Sequence, residues 1–120
     1  MKLAITTSGE TLDATLNPQF GRAPKFLIHD TESGDTAVID NHQNLNAAQG
    51  AGIQTAETIA RAGAQALITG HCGPKAFRVL SAAGIAVYHC PAQTVAAALQ
   101  AFEQGKLQAA ESADVEGHWV

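Results

Sequence analysis

The chain of 120 residues has the length of one domain and can bury a hydrophobic core without disulfides or metals. Its formal net charge of −4 gives no global attraction to nucleic acid or to anionic membranes. No stretch approaches the roughly 20 apolar residues of a membrane span, and the N-terminus lacks the apolar region of a signal peptide. We therefore expect a cytoplasmic protein.

The first part of the chain predicts three short strands. Residues 2–6 form an apolar run that starts almost at the N-terminus, and residues 26–30 and 36–40 form two more apolar runs. The segment 31–35 between the second and third runs is rich in residues that favour a turn. The second and third strands are therefore expected to form an antiparallel hairpin.

The rest of the chain alternates helices with strands. Apolar residues at helical spacing predict three helices, and Pro74 stands where a helix tolerates proline best, in its first turn. Two short apolar runs between the helices are typical of buried strands. The predicted elements are a helix over 53–60 that ends by Gly63, a strand over 66–69, a helix from Pro74 to the stop at Gly84, a strand over 85–88, and a helix from Val95 to the stop at Gly105.

This order, β-β-β-α-β-α-β-α, predicts an α/β fold with a five-stranded mixed sheet flanked by helices. Right-handed crossovers make strands 4 and 5 parallel to strand 1. Loops 7–24, 41–52, 70–74 and 89–92 then emerge at one edge of the sheet. Ligands bind open α/β sheets at the carboxyl edge where the strand order reverses, which here lies between strands 1 and 4, beside Cys72.

Two His-Cys dipeptides, His71-Cys72 and His89-Cys90, close the last two predicted strands and contain the only cysteines of the chain. Thiolate and imidazole are ligands that hold transition metals, so this pattern suggests a metal site. Each residue also has a simpler interpretation: Cys72 as a small residue in a tight turn, Cys90 as core packing, and the histidines as strand-end residues that face different ways.

The segment 70–75 predicts a helix start that faces the same edge. Gly73 and Pro74 would leave the backbone N–H groups of Lys75, Ala76 and Phe77 open toward a ligand. A positive helix end also favours the thiolate form of a neighbouring cysteine, so we expect Cys72 to be the more reactive thiol.

The loop 7–24 is long for so small a domain, and long structured loops are usually functional. It contains Arg22, whose forked guanidinium suits an anionic ligand, although a solvated surface arginine is the simpler interpretation. A second glycine-rich element, Gly50-Ala51-Gly52, precedes a helix, where N–H groups attract anions.

Several catalytic patterns are absent from the sequence. It contains no C-x-x-C, H-E-x-x-H or Walker A pattern, and Ser8 has no obvious base in a nucleophile-elbow context. The sequence therefore predicts a binding protein and not an enzyme. An enzyme that uses a Cys72 thiolate is the remaining, least supported alternative.

Four motifs occur in chain order: Asn17-Pro18-x-Phe20-Gly21-Arg22-Ala23-Pro24, Gly50-Ala51-Gly52, Thr69-Gly70-x-x-Gly73-Pro74, and Ala83-Gly84-Ile85-x-Val87-Tyr88. Together they resemble the dinitrogenase iron–molybdenum cofactor biosynthesis family over residues 2–107. The resemblance implies a ribonuclease-H-like fold with a five-stranded mixed sheet. That family includes cofactor carriers of nitrogenase assembly and the small orange-protein type, which carries a molybdenum–copper sulfide cluster.

The resemblance implies a binding or carrier protein for a molybdenum-, iron- or copper-containing sulfide cluster, with the cluster's donor and acceptor proteins as partners. A regulatory or scaffold domain that binds a small anion or a partner protein without metal is the alternative. The residues expected to bind the cofactor are Phe20, Gly21, Arg22, Gly50, Gly52, Gly73 and Lys75, and the candidate metal ligands are His71, Cys72, His89 and Cys90.

The expected domain covers residues 1–107. Residues 108–120 have no periodicity and several acidic side chains, and they are expected to form a C-terminal tail.

Overall fold

The structure is a computed structural model that describes residues 1–17, 20, 23–41, 51–91, 93–107 and 109–110. All the predicted strands and helices are present in the predicted order. The strands are β1 (Lys2–Thr7), β2 (Lys25–Asp30), β3 (Thr36–Asp40), β4 (Ala66–Thr69) and β5 (Ala86–His89), and the helices are α1 (Ala51–Arg61), α2 (Pro74–Ala82) and α3 (Val95–Glu103).

The strands form one mixed sheet of five strands with the spatial order β3-β2-β1-β4-β5. β1 pairs antiparallel with β2 and parallel with β4, where Leu3 lies opposite Ala66. β2 pairs antiparallel with β3, and β4 pairs parallel with β5. The structure thus confirms the mixed α/β sheet and the strand directions that the sequence predicts.

The last strand begins one residue later than predicted because Ile85 takes part in the termination of α2. After α2, Gly84 adopts a φ of 77°, a left-handed conformation that glycine reaches without steric cost. Its N–H donates to the Ser81 carbonyl at 3.1 Å, and the Ile85 N–H donates to the Leu80 carbonyl at 2.9 Å. These two bonds form a Schellman motif, so pairing with β4 starts at Ala86.

Two hydrophobic clusters cover the two faces of the sheet. Successive residues of a strand point to opposite faces, so Leu67 packs in the cluster on the α1/α2 face and Ile68 packs in the cluster on the α3 face. The first cluster includes Ile59 of α1 and Leu80 of α2, and the second includes Leu99 of α3. Helices therefore cover both faces of the sheet.

The first half of the loop after β1 is hydrogen-bonded to the segment that leads into α3. The Leu16 N–H donates to the Gln93 carbonyl at 2.8 Å, and the Val95 N–H donates to the Ala14 carbonyl at 2.8 Å. The Thr94 side chain caps the N-terminus of α3. This half of the predicted functional loop is thus built into the fold.

After α3 the chain returns to the outer side of β5. Ala109 forms an isolated bridge with Tyr88, and the Ala110 N–H donates to the Val87 carbonyl at 2.7 Å. The remainder of the predicted tail over 108–120 lies outside the described residues. Within the part of the chain that the structure describes, no helix is long and apolar enough to cross a membrane.

The central strand β4 provides a direct test of this core. Leu67 is fully buried, so Leu67→Ala should lower the free energy of unfolding by about 2–5 kcal/mol through lost burial and a cavity. Val38 on edge strand β3 is 41% exposed. Val38→Thr, which keeps the β-branch, should therefore change the free energy of unfolding by less than about 0.5 kcal/mol. Urea unfolding measures both, and equal losses in the two variants would contradict this assignment of the core.

Candidate functional site

The carboxyl edge of the sheet is the edge at which β1, β4 and β5 end. β3 also ends there and β2 begins there, because each is antiparallel to its neighbour. β1 and β4 are spatial neighbours although β2 and β3 lie between them in the chain. The predicted reversal of strand order is therefore present between β1 and β4, at the position where open α/β sheets bind ligands.

Two buried threonines join the strand ends at this position. The Thr6 hydroxyl donates to the Asn17 carbonyl at 2.7 Å and lies 3.1 Å from the Thr69 hydroxyl, which can donate to it. Both threonines are fully buried, and the Asn17 N–H donates back to the Thr6 carbonyl at 3.0 Å. These bonds fix the long loop at Asn17 to the ends of both β1 and β4.

Phe20 anchors the loop from inside the core. Its side chain is only 1% exposed, and its ring centroid lies 5.8 Å from that of Phe26. Its N–H donates to the His71 carbonyl at 3.2 Å, which links the loop to the segment after β4. Phe20 thus has a structural role in the core, and its role at the cofactor stays a prediction, since almost none of its ring is open to a ligand.

Asn41, directly after β3, holds the end of the same loop, and the sequence analysis does not identify it. Its side chain is fully buried, and its Nδ2 donates to the Ala23 carbonyl at 2.8 Å. Its backbone N–H donates to the Pro24 carbonyl at 2.8 Å, and the Thr55 hydroxyl of α1 donates to its Oδ1 at 3.3 Å. The sequence shows an asparagine directly after a predicted strand. It does not reveal the role of this residue, because the hydrogen-bond partners of Asn41 are distant in the chain.

The start of α2 supplies backbone donors to the edge. Gly73 is the N-cap residue with φ −75° and ψ 169°, Pro74 follows, and no side-chain hydrogen bond caps this end within the described residues. The Phe77 N–H donates to the Gly73 carbonyl at 3.0 Å and is part of the helix. Of the three predicted N–H donors, those of Lys75 and Ala76 therefore lie outside the helix ladder, at the positive end of the helix dipole. Lys75 is exposed, whereas Ala76 is fully buried, so Lys75 is the donor that a ligand at the edge can reach without a rearrangement of the core.

His71 and Cys72 are adjacent in sequence but lie in different environments. His71 is exposed, whereas Cys72 is 1% exposed and belongs to the core cluster on the α1/α2 face. The Cys72 sulfur lies 3.7 Å from the Gly73 carbonyl oxygen, to which it can donate. The helix start thus does not bring the thiol to the surface, and the expected high reactivity of Cys72 would require the core to open.

Cys90 lies on the opposite face of the sheet from Cys72. It is 4% exposed in the cluster on the α3 face, and the Gln93 amide Nε2 donates to its sulfur at 2.7 Å. His89 is half-buried at the end of β5. The sheet separates the two thiols, so the structure does not bring them together as ligands of one metal ion.

The described residues contain no group of three or more His, Cys, Asp or Glu side chains that could hold a metal ion. Gly21, Arg22 and Gly50 of the predicted site lie outside those residues, whereas Gly52 is buried in the first turn of α1. The described part of the edge therefore offers backbone donors and lysine side chains, which suit an anion better than a bare metal ion.

Two lysines at the edge differ in their surroundings. The Lys25 ammonium forms an ion pair with Glu10 at 2.7 Å, and this hydrogen bond and the lysine charge lower the pKa of Glu10 below its usual value. Lys75 is exposed in the first turn of α2. Lys75 is thus better placed than Lys25 to offer its charge to a ligand.

Comparisons with known proteins agree with this fold. The model of the family described as dinitrogenase iron-molybdenum cofactor matches residues 1–105. An uncharacterized protein of Methanocaldococcus jannaschii is 33% identical over 111 residues, which are 90% of this chain and 90% of that protein.

Solved structures show the same relationship. The apo form of the orange protein from Desulfovibrio gigas has a TM-score of 0.93 and 37% identity over 95% of this chain and 96% of its own. A Thermotoga protein of the DUF35 family, solved by NMR, has a TM-score of 0.80 and 35% identity over 90% of this chain and 91% of its own. The family match and the extent of these similarities show that the chain belongs to the dinitrogenase iron-molybdenum cofactor family.

Proposed function

We propose that this protein binds and carries a metal–sulfide cluster, molybdenum with iron or copper, at the carboxyl edge of its sheet. The observation that carries the proposal is the start of α2, which follows β4 at the carboxyl edge and presents the exposed Lys75 at the positive end of the helix dipole. The family to which the chain belongs and its similarity to the orange protein support cluster cargo over other anions.

A thiometalate cluster is a compact polyanion whose sulfides already satisfy its metals. Such a cargo needs positive charge and hydrogen-bond donors more than it needs protein ligands. In the proposed site the α2 donors and the Lys75 ammonium provide part of this binding, and Arg22 provides a forked cation from the loop. Gly21, Gly50, Gly52 and Gly73 belong to the proposed site because a residue without a side chain allows a ligand to approach its backbone closely.

Direct metal ligation is a second mode of binding within the same proposal. Its candidates are His71, Cys72, His89 and Cys90. The burial of both thiols on opposite faces of the sheet favours the anionic mode, since a cluster at the edge would reach neither sulfur without displacing core side chains.

The alternative function is a regulatory or scaffold domain that binds a small anion or a partner protein without metal. The same α2 N–H groups could donate to any compact anion, and this is the specific observation in favour of the alternative. Metal and sulfide analysis of protein purified without air from its native host distinguishes the two functions. The partners of a carrier would be the proteins that donate and accept the cluster.

The charges at the edge give the first test of this function. The Arg22→Ala and Lys75→Ala variants should each retain the cluster about tenfold less well, since each loses a charged contact. Reconstitution with tetrathiomolybdate and copper, followed by desalting and metal analysis, measures retention. Lys106→Ala is the matched control, because Lys106 is exposed beyond the end of α3 at the opposite edge of the sheet.

The two charge variants should also leave the free energy of unfolding within about 0.5 kcal/mol of the wild type, because Lys75 is exposed and Arg22 is proposed to serve the ligand and not the core. A retention in the Arg22→Ala and Lys75→Ala double variant equal to that of Lys106→Ala would refute the proposed anionic site.

The thiols give the second test. If the cluster is held as an anion, Cys72→Ala and Cys90→Ala should both retain most of it, because neither sulfur is part of the binding contacts. Alanine is chosen over serine because a buried hydroxyl would add its own desolvation cost. Complete loss of cluster in Cys72→Ala, with normal retention in Cys90→Ala, would replace the anionic mode with metal–thiolate ligation.

Salt gives the third test. The screening length falls from about 10 Å at 0.1 M salt to about 3 Å at 1 M, so retention should decrease steeply over this range. Metal–sulfur bonds are largely insensitive to ionic strength. Retention that is equal at both salt concentrations in the wild type would count against a site built from charge.

A further inference from the structure

The side chain of Asn41 is fully buried, and the residue forms hydrogen bonds through both its side chain and its backbone. Its Nδ2 donates to the Ala23 carbonyl at 2.8 Å, and its Oδ1 accepts from the Thr55 hydroxyl at 3.3 Å. Its backbone N–H donates to the Pro24 carbonyl at 2.8 Å. One residue thus connects the end of β3, the helix α1 and the loop that enters β2.

The positions of these bonds along the loop matter for the site. Ala23 and Pro24 directly follow Arg22 in the chain. On the other side of Arg22, the Phe20 N–H donates to the His71 carbonyl at 3.2 Å, and the Phe20 ring is buried. The backbone is therefore held at Ala23 by Asn41 and at Phe20 by the segment before α2, on the two sides of Arg22.

The chemistry of this position is specific for asparagine. The side chain must donate to a carbonyl and accept from a hydroxyl at the same time, which a carboxamide does in one fixed plane. Aspartate would turn an acceptor toward the Ala23 carbonyl, and an apolar residue would leave that carbonyl without this donor.

We propose that Asn41 is a positioning residue for the cluster site, which acts by holding the loop backbone at Ala23 and Pro24, the two residues that follow Arg22 in the chain. This inference rests on the proposed function, because it links Asn41 to Arg22, the loop cation that the proposed function assigns to the cargo. It also explains why a polar side chain occupies a fully buried position.

Two variants remove the bonds in steps. Asn41→Leu has a similar shape and removes both side-chain bonds, so it should weaken retention of the tetrathiomolybdate–copper cluster about tenfold. Thr55→Val removes only the hydroxyl that donates to Asn41, and it should weaken retention of the cluster about threefold. The second variant keeps the inference testable if the first fails to fold.

A double-mutant cycle with Arg22→Ala separates positioning from general destabilisation. If Asn41 acts through Arg22, then Asn41→Leu and Thr55→Val should cause no further loss of retention in the Arg22→Ala background. Ile59→Val is the matched control, since Ile59 is buried one turn along α1 from Thr55 in the core cluster. Its effect on retention should be small, and equal in the wild-type and Arg22→Ala backgrounds.

The outcomes are distinct. Full retention in both Asn41→Leu and Thr55→Val, or losses that add to that of Arg22→Ala, would overturn the positioning role while leaving the proposed function intact. Failure of the wild-type protein to retain the cluster would overturn the proposed function and this inference together. A loss of binding in Asn41→Leu that disappears in the Arg22→Ala background supports both.

Discussion

The parallel pairing of β1 with β4 is the interaction on which the rest of this architecture depends. Its register places Leu3 opposite Ala66 and Ile5 opposite Ile68. At the end of that pairing, Thr6 and Thr69, which are 63 residues apart in the chain, meet through their buried hydroxyls. A shift of the register by one residue would exchange the two faces of β4 and turn Leu67 away from α1 and α2.

The candidate site is built onto this pairing by hydrogen bonds that are shielded from water. Thr6 holds the loop at Asn17, the His71 carbonyl holds it at Phe20, and Asn41 holds it at Ala23. The side chains of Thr6, Phe20 and Asn41 are buried, so a polar group that loses its bond there gains little compensation from solvent. The described parts of the loop are therefore held at the carboxyl edge, beside the segment that leads into α2.

The sequence predicts the sheet well because the features that determine it are local or periodic. Apolar runs, the turn before β3 and the proline at the start of α2 each act within a few residues, and the handedness of crossovers then determines strand directions. The apolar pattern does not predict that β5 starts one residue later, because this start depends on Gly84 and Ile85, which complete the end of α2.

The site is less predictable because burial and long-range partners decide it. Adjacency of His71 and Cys72 suggests a common site, yet one side chain is exposed and the other lies in the core. Cys90 packs on the far face of the sheet, which only the three-dimensional arrangement reveals. Asn41 has partners 14 and 18 residues away in the chain, so no short motif identifies it.

The central claim is that an anionic cluster binds at the start of α2. Two-dimensional amide NMR during titration with tetrathiomolybdate and copper(I) tests it most directly. If the cluster binds there, the Lys75 and Ala76 amide signals should shift first, because their N–H groups are the proposed donors. The turn around Gly34, at the opposite edge of the sheet, should remain unchanged. Shifts centred on that turn, with unchanged Lys75 and Ala76 signals, would contradict binding of the cluster at the start of α2.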